Sequence, residues 1–373
     1  MIPFNIPVVT GGELKYLQQA LANRKLSGDG PFTKQCQAFF EQRYQFNKTF
    51  LTTSCTDALE LCALLTNVKE GDEVIIPSYT FVSTANPFVL RGAKLVFADS
   101  LEENPNLDVS KIEALITPRT KVIALVHYAG IACDMDAIMA LAKKYNLLVV
   151  EDAAQAIDSF YKDQPLGSIG QLSAFSFHET KNIVTGEGGM AVINDPQFRD
   201  RAEIIREKGT NRSRFFRGEV DKYGWVDVGS SFLPSELIAA YLMAQLEAMD
   251  QIQNKRKAIW NIYNTRLQSI KGKVRLPYLP DYATNNAHMF YLGCESLQQR
   301  TELVAELKKN EMHAVFHYLS LHQSEFYQSK HDGRDLPNAD RWTDTLLRLP
   351  LYYDLKEEEA HQVCDVIEKF FSI

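Results

Sequence analysis

No CxxC pair occurs in this chain, and its six cysteines (Cys36, Cys55, Cys62, Cys133, Cys294 and Cys364) are scattered. That spacing suggests neither a zinc knuckle nor a thioredoxin-like dithiol, and the thiols read as reduced, buried small hydrophobes. Long apolar runs are also missing. A bilayer-spanning helix needs about 18 nearly continuous apolar residues, whereas the best candidate, 122–133, is shorter and contains His127. The start, MIPFNIPVVTGGEL, has no basic opening, apolar stretch or small-residue cleavage site of a signal peptide. A soluble, cytoplasmic protein that spans no membrane is expected. Positive charge is in deficit: 40 Lys+Arg against 47 Asp+Glu give a net charge of −7. This argues against a general nucleic-acid binder, which needs a cationic face. It leaves room for an anionic small molecule, because a local cluster of donors overrides the global sign. No dinucleotide-binding GxGxxG and no Walker A motif is present, and no solenoid repeat or low-complexity tract interrupts the chain.

What is present is alternation. Apolar, β-branched runs at 73–77, 94–98, 121–127, 147–151, 173–177 and 190–193 are separated in several places by amphipathic helical stretches such as 56–65, 136–144 and 200–208. Continuous hydrophobic strands alternating with helices predict an α/β fold, its mostly parallel sheet buried on both faces. In such sheets the chemistry sits just beyond the carboxyl ends of the strands. From about residue 235 the pattern changes to a long helix, expected over 235–270, and then to a shorter strand–helix–strand–helix series. A large domain over 1–245 and a small C-terminal α/β domain over 246–373 are expected.

Three strand ends carry the chemical signal. LLVVEDAAQ ends an apolar strand with Asp152, and Gln155 follows; a carboxylate at the rim of a buried strand needs a cationic or proton-donating partner. AFSFHETKN leaves the next strand with Ser176, His178 and Lys181, and a lysine in a cleft is either a solvated charge or an amine poised for imine chemistry. LTTSCTDALE puts Ser54, Cys55 and Thr56 at a helix start, where free N–H groups and hydroxyls suit a phosphate. An aldehyde cofactor with a phosphate arm and a ring nitrogen uses all three, with Phe81 of PSYTFVSTAN placed to stack on the ring. That cofactor is pyridoxal 5′-phosphate. Taken singly, each residue has a plainer role: Asp152 a helix cap, Lys181 a surface charge, Phe81 core, His178 a packed neighbour. GEGG, 186–189, is most simply a turn needing positive φ. No metal site is expected.

These residues also carry a resemblance. VVEDAAQ followed by SFHETKN, with SCTDAL and PSYTFVST upstream, resembles the sugar-nucleotide aminotransferases of the DegT/DnrJ/EryC1/StrS family, and the likeness runs from the first residues to LRLPLYY. The resemblance implies the type I aminotransferase fold and a homodimer with active sites at the interface. It also implies amino transfer from L-glutamate to the keto carbon, C4 favoured, of a dTDP-4-keto-6-deoxyhexose. Lys181 would bond to the cofactor and then move the proton; Asp152 would pair with the ring nitrogen; Gln155 would contact the ring hydroxyl. Ser176 with the Cys55–Thr56 segment would hold the phosphate. Many relatives have Gly where Cys55 stands, and many have Asn within the segment matching 229–233, where GSSFL offers Ser230 or Ser231 to reach the partner's phosphate.

On the substrate side, KGTNRSRFFRGEVDKYGW offers Arg212 and Lys222 among other cations for a diphosphate, with a solvated loop as the alternative. FHYLSLH offers His317 and Tyr318 for sugar contact or for core and capping roles. Within the family, a sugar dehydratase would carry histidine at the Lys181 position. A C3-aminating or gluco-product enzyme remains open, as does, from another class, a non-catalytic cofactor-binding regulator. The intact Asp152, Gln155, Ser176 and Lys181 set argues against the regulator.

Overall fold

The computed structural model describes residues 1–372. Two helices, α1 (Glu13–Ala22) and α2 (Pro31–Tyr44), precede the edge strand β1 (Thr49–Thr52) and α3 (Cys55–Leu65). There follow β2 (Glu73–Pro77), α4 (Val82–Leu90), β3 (Lys94–Ala98), β4 (Thr120–Val126), α5 (Met135–Tyr145) and β5 (Leu148–Asp152). A small ribbon, β6 (Phe160–Tyr161) and β7 (Gln164–Pro165), leads to β8 (Leu172–Ser176) and β9 (Gly189–Ile193). The remainder comprises α6 (Arg199–Arg206), α7 (Arg212–Phe216), α8 (Glu236–Glu247), α9 (Met249–Arg266), β10 (Tyr291–Gly293), α10 (Leu297–Lys309), β11 (Val315–Phe316), α11 (Pro337–Thr345), β12 (Leu346–Arg348) and α12 (Glu357–Phe371).

The main sheet has seven strands in the order β1-β9-β8-β5-β4-β2-β3. β8, β5, β4, β2 and β3 run parallel, β9 pairs antiparallel with β8, and β1, antiparallel to β9, runs in the same direction as the parallel set. β2 (EVIIP) and β8 (LSAFS) are buried along their whole length and the other parallel strands at all but one residue, which is the pattern of a sheet covered by helices on both faces. Their carboxyl ends, at Pro77, Val126, Asp152 and Ser176, lie along one edge. The antiparallel register Ser176↔Gly189 and Thr52↔Gly189 brings the start of β9 and the end of β1 to that same edge.

A second, three-stranded antiparallel sheet, β10-β12-β11, anchors the C-terminal part. Its apolar cluster gathers Ile259, Trp260 and Tyr263 of α9 with Leu303, Leu347, Val363 and Ile367, and also takes Ile2, whose strand bridge to Met312 ties the first residues to this part of the molecule. The other end of α9 contributes Met249 and Ile252 to the main core. The helix expected as one piece over 235–270 is two. At Ala248 (φ −94°, ψ 5°) the chain leaves helical geometry, so α8 stays packed on α1 and α2 while α9 crosses to α12. Among the described residues no helix is long and apolar enough to cross a membrane.

Candidate active site

A cavity of about 1190 Å³ opens beyond the carboxyl edge of the main sheet. Each wall is built by a segment that leaves a strand. The turn after β1 gives Ser54, Cys55 and Thr56; the segment after β2 gives Phe81; β5 ends at Asp152 and continues to Gln155; β8 ends at Ser176 and continues to His178 and Lys181. The C-terminal part closes the cavity with His288, His317, Tyr318 and Arg348. Of the residues singled out from the sequence, Ser231, Arg212 and Lys222 are not part of this lining. Arg212 pairs instead with Glu207 at 3.2 Å and stacks over Phe216, and Lys222 and Ser231 are exposed. In this chain the segment 208–225 is a surface feature with local ion pairs. Its alternation of cations and aromatics carries no information about which cavity, if any, it borders.

Asp152 is the best-held polar group of the site. It is buried, and its carboxylate accepts from the Thr84 hydroxyl at 2.7 Å and from the Ala154 N–H at 3.1 Å. Burial pushes its pKa up, and the two hydrogen bonds and the Lys181 charge oppose that shift without cancelling it. A cationic ring nitrogen brought against it would relieve the cost. Lys181 is perturbed in the opposite sense: burial pulls its amine below the ordinary lysine range, and the Arg348 charge adds to the effect. A lysine of lowered pKa is uncharged more of the time and is a better nucleophile toward a carbonyl.

The candidate phosphate seat is made by chain geometry. Ser54 caps α3 by accepting the Asp57 N–H at 3.0 Å, a contact worth about 1 kcal/mol in ordinary caps. This leaves the N–H groups of Cys55 and Thr56, which have no acceptor within the helix, at the cavity wall. Gly189 explains the end of GEGG differently from the sequence expectation. Only Gly186 of that run has positive φ (+78°); a Cβ at Gly189 would lie 2.3 Å from the Ser54 carbonyl carbon. The glycine is needed for close approach of β9 to the helix start. Cys55 keeps its thiol protonated: burial, with Asp152 nearby, raises its pKa well above the usual range.

Gln155 links the two parts of the molecule. Its side-chain carbonyl accepts the Ala129 N–H at 2.6 Å, and its amide donates to the Tyr318 hydroxyl at 3.0 Å. Tyr318 stacks on His317 with ring centroids 3.5 Å apart, and His317 Nδ1 meets the Tyr128 hydroxyl at 2.7 Å. Phe81, 53% exposed, presents its ring at the mouth, 6.0 Å from that of Tyr318. Sequence reasoning missed Thr84, His288 and Arg348. The first two gave no separate signal; the third did, as a lone cation inside the buried run LLRLPL.

A basic strand-end lysine, a buried carboxylate and a helix N-terminus around one cavity fit pyridoxal 5′-phosphate, and Gly189 leaves its phosphate seat unobstructed. When bound, the cofactor supplies an aldehyde that carries the amino group and a ring that withdraws electrons from it. The relatives agree. Spore coat polysaccharide biosynthesis protein SpsC of Bacillus subtilis is 33% identical over 375 residues, covering 98% of this chain and 96% of the relative. GDP-perosamine synthase of Escherichia coli O157:H7 is 32% identical over 374 residues, covering 100% and 99%. Among solved structures, the aminotransferase from Psychrobacter cryohalolentis superposes with TM-score 0.92 at 27% identity, covering 98% of each chain. Spr1654 of Streptococcus pneumoniae in its PLP form gives TM-score 0.90 at 27% identity, covering 100% of this chain and 98% of that one. The model of the DegT/DnrJ/EryC1/StrS aminotransferase family matches residues 8–368, so the chain belongs to that family and is a pyridoxal-phosphate-dependent sugar aminotransferase.

Proposed function

We propose that this chain transfers the amino group of L-glutamate to C4 of a dTDP-4-keto-6-deoxyhexose, giving dTDP-4-amino-4,6-dideoxygalactose for surface polysaccharide synthesis. The observation that carries the amino-transfer chemistry is the convergence of Lys181, Asp152 and the α3 N-terminus on one cavity. The choice of sugar rests on sequence. MIPFNIP, LSGDGPFT, VLRGAK, VHYAG, IIREKGTNRS, FFRGEVDKYGW and HMFY closely resemble the dTDP-4-amino-4,6-dideoxygalactose transaminase of enterobacterial common antigen synthesis.

Within this reading Lys181 would hold the cofactor through its amine, and that amine, once the amino donor has displaced it, would move a proton to and from the reacting carbon. Asp152 keeps the ring nitrogen protonated. Gln155, fixed between Ala129 and Tyr318, positions the ring hydroxyl, and Phe81 covers the ring face. The N–H groups of Cys55 and Thr56, with the Ser176 hydroxyl, hold the phosphate. His178 and the His317–Tyr318 pair border the space left for the sugar.

The working unit in this reading is a homodimer with its active sites at the interface. Phe81 and Val82 at the cavity mouth are about half exposed, and Trp225 (84%) and Val226 (54%) stand out from the segment after α7, an apolar surface for a second copy to cover. Ser231, Arg212 and Lys222, which do not reach the cavity of their own chain, are then available to the partner's. Static light scattering at micromolar concentration tests this, and a monomer refutes it.

The full reading is tested by incubating the holoenzyme with L-glutamate and dTDP-4-keto-6-deoxyglucose and determining the product by NMR. The expected product carries an axial C4 amine. A C3 amine, or an equatorial C4 amine, refutes the assigned outcome while retaining the enzyme class. A GDP-linked acceptor belongs in the same assay, because a relative named GDP-perosamine synthase matches over the whole chain.

A further inference from the structure

Arg348 ends β12, the central strand of the small sheet, and in the ladder it faces Tyr291 on one side and Val315 on the other. Its guanidinium lines the cavity that contains Asp152 and Lys181. Its Cζ lies 4.6 Å from the Phe4 ring centroid, and it is packed near the hydroxyls of Tyr79, Tyr128 and Tyr318. Its Nε is buried and without a hydrogen-bond partner, and no ion pair of Arg348 is formed among the described residues. A guanidinium does not discharge at any pH the protein tolerates, so this half-buried side chain presents to the cavity a positive charge with no protein partner.

The fold shows how it satisfies a buried arginine when the role is structural. Arg256, also without a carboxylate, donates from Nε to the Ala287 carbonyl at 3.1 Å and from Nη2 to the His288 carbonyl at 2.7 Å. Arg206, whose Nε is also unpartnered, is paired through Nη2 with both Asp29 oxygens. Arg348 has neither solution. The tyrosines near it do not satisfy it: Tyr79 donates to the His317 carbonyl, Tyr128 meets His317 Nδ1 and Tyr318 accepts the Gln155 amide, and among the described residues none of them is hydrogen-bonded to Arg348. Of the cavity's other basic groups, burial holds both His288 and His317 well below the usual imidazole range, so the positive charge beside Arg348 is that of Lys181.

We infer that Arg348 is the carboxylate anchor of the amino donor, binding through its planar fork the carboxylate on the carbon whose amino group is transferred. This rests on the aminotransferase reading above and deepens it. A planar guanidinium suits a carboxylate bidentately, and a phosphate equally well, so the choice between donor and nucleotide is made by position. The donor carboxylate is bonded directly to the reacting carbon and must lie close to Lys181. The diphosphate of a nucleotide sugar is held away from the keto carbon by the sugar ring. Arg348 lines the same cavity as Lys181 and Asp152, from the wall formed by the small sheet, which favours the donor carboxylate.

Arg348→Met and Arg348→Lys, prepared as holoenzymes, test the assignment. Glutarate, a dicarboxylate that cannot react, is titrated calorimetrically, and so is dTDP. The rate at which L-glutamate bleaches the cofactor's visible band is followed without any acceptor. For Arg348→Met the expected results are a glutarate affinity weakened about tenfold or more, bleaching slowed by about 10²-fold, and dTDP affinity within about twofold of wild type. Arg348→Lys, which keeps the charge and loses the fork, falls between. Wild-type bleaching in Arg348→Met overturns the proposal, and so does a loss of dTDP affinity with glutarate binding intact, which would assign Arg348 to the nucleotide. A wild-type enzyme that L-glutamate does not bleach refutes the donor reading itself, and with it the proposal, before any variant is compared.

Discussion

Gly189 on β9 runs against the peptide joining Ser54 to Cys55 so closely that a Cβ would approach the Cys55 nitrogen to 2.4 Å. Neither partner can yield cheaply. Gly189 is paired with both Thr52 and Ser176 inside the sheet, and Ser54 is fixed as the cap of α3. A methyl group there must push the helix start away from the strand.

Gly189→Ala is therefore expected to weaken cofactor binding by about tenfold or more while the fold survives, with stability reduced by about 1–3 kcal/mol, the usual cost of overpacking a fixed interior. Equilibrium titration of the apoprotein with pyridoxal phosphate, beside thermal unfolding of the same sample, checks both numbers. Gly186→Ala is the contrasting control. Its φ of +78° makes the substitution strained, but no atom lies within 4 Å of its Cβ position. It should cost some stability and leave cofactor affinity within about twofold.

Lys181→Ala should abolish turnover and the lysine-dependent visible band of the bound cofactor, with circular dichroism unchanged. The expected stability effect is small or favourable, because burial already disfavours the charged amine in the folded chain. The sign follows from the direction of the shift. A folded-state pKa lowered below the unfolded one means that the unfolded chain binds the proton more tightly, so wild type loses stability as pH falls through the ordinary lysine range, and the alanine variant does not. Thermal midpoints of the two apoproteins should converge at high pH and separate, in favour of Lys181→Ala, toward neutrality. Turnover near the wild-type rate in the variant would refute the placing of the lysine at the centre of the chemistry.

Much of this architecture is legible in the sequence, for identifiable physical reasons. The expected strands 73–77 and 94–98 match β2 and β3 residue for residue, because a parallel strand buried on both faces reads as an uninterrupted apolar run bounded by polar turns. The strand ends at Asp152 and Ser176 follow from the same signal, and with them most of the cavity wall. Strand β1, only Thr49–Thr52, is marked by its end at LTTSCT but not as an apolar run of its own, because a four-residue edge strand has too short a period to detect. The order β1-β9-β8-β5 escapes notice, being a matter of long-range pairing that no local window contains. The break at Ala248 is invisible for another reason: both halves are good helix, and what bends the chain is the need of α8 and α9 to serve different cores. In the site, Arg348 was overlooked although a lone arginine in LLRLPL is a signal, since buried cations are rare without a reason.

The pH dependence of Asp152 gives the sharpest separation between apoprotein and holoenzyme. In the apoprotein burial raises its pKa above the unfolded value. A raised folded pKa contributes stability that is fully present below the unfolded pKa and is lost as pH rises through the folded one. Apo wild type should therefore lose stability on going from acid toward neutral pH through this group. Asp152→Asn does not titrate, and its amide can still accept from the Ala154 N–H while donating to the Thr84 hydroxyl. Apo Asp152→Asn should be more stable than apo wild type at neutral pH, and the gap should close as pH falls through the carboxylate range. In the holoenzyme the order reverses, since a cationic ring nitrogen against the ionised Asp152 turns its burial into an ion pair. Turnover of the variant should fall by about 10²-fold or more, because a buried cation left without its partner costs about 3–5 kcal/mol. Unfolding midpoints across pH 4–8, measured with and without pyridoxal phosphate for both proteins, decide the matter. If the holoenzymes show the same order as the apoproteins, Asp152 does not pair with the ring nitrogen.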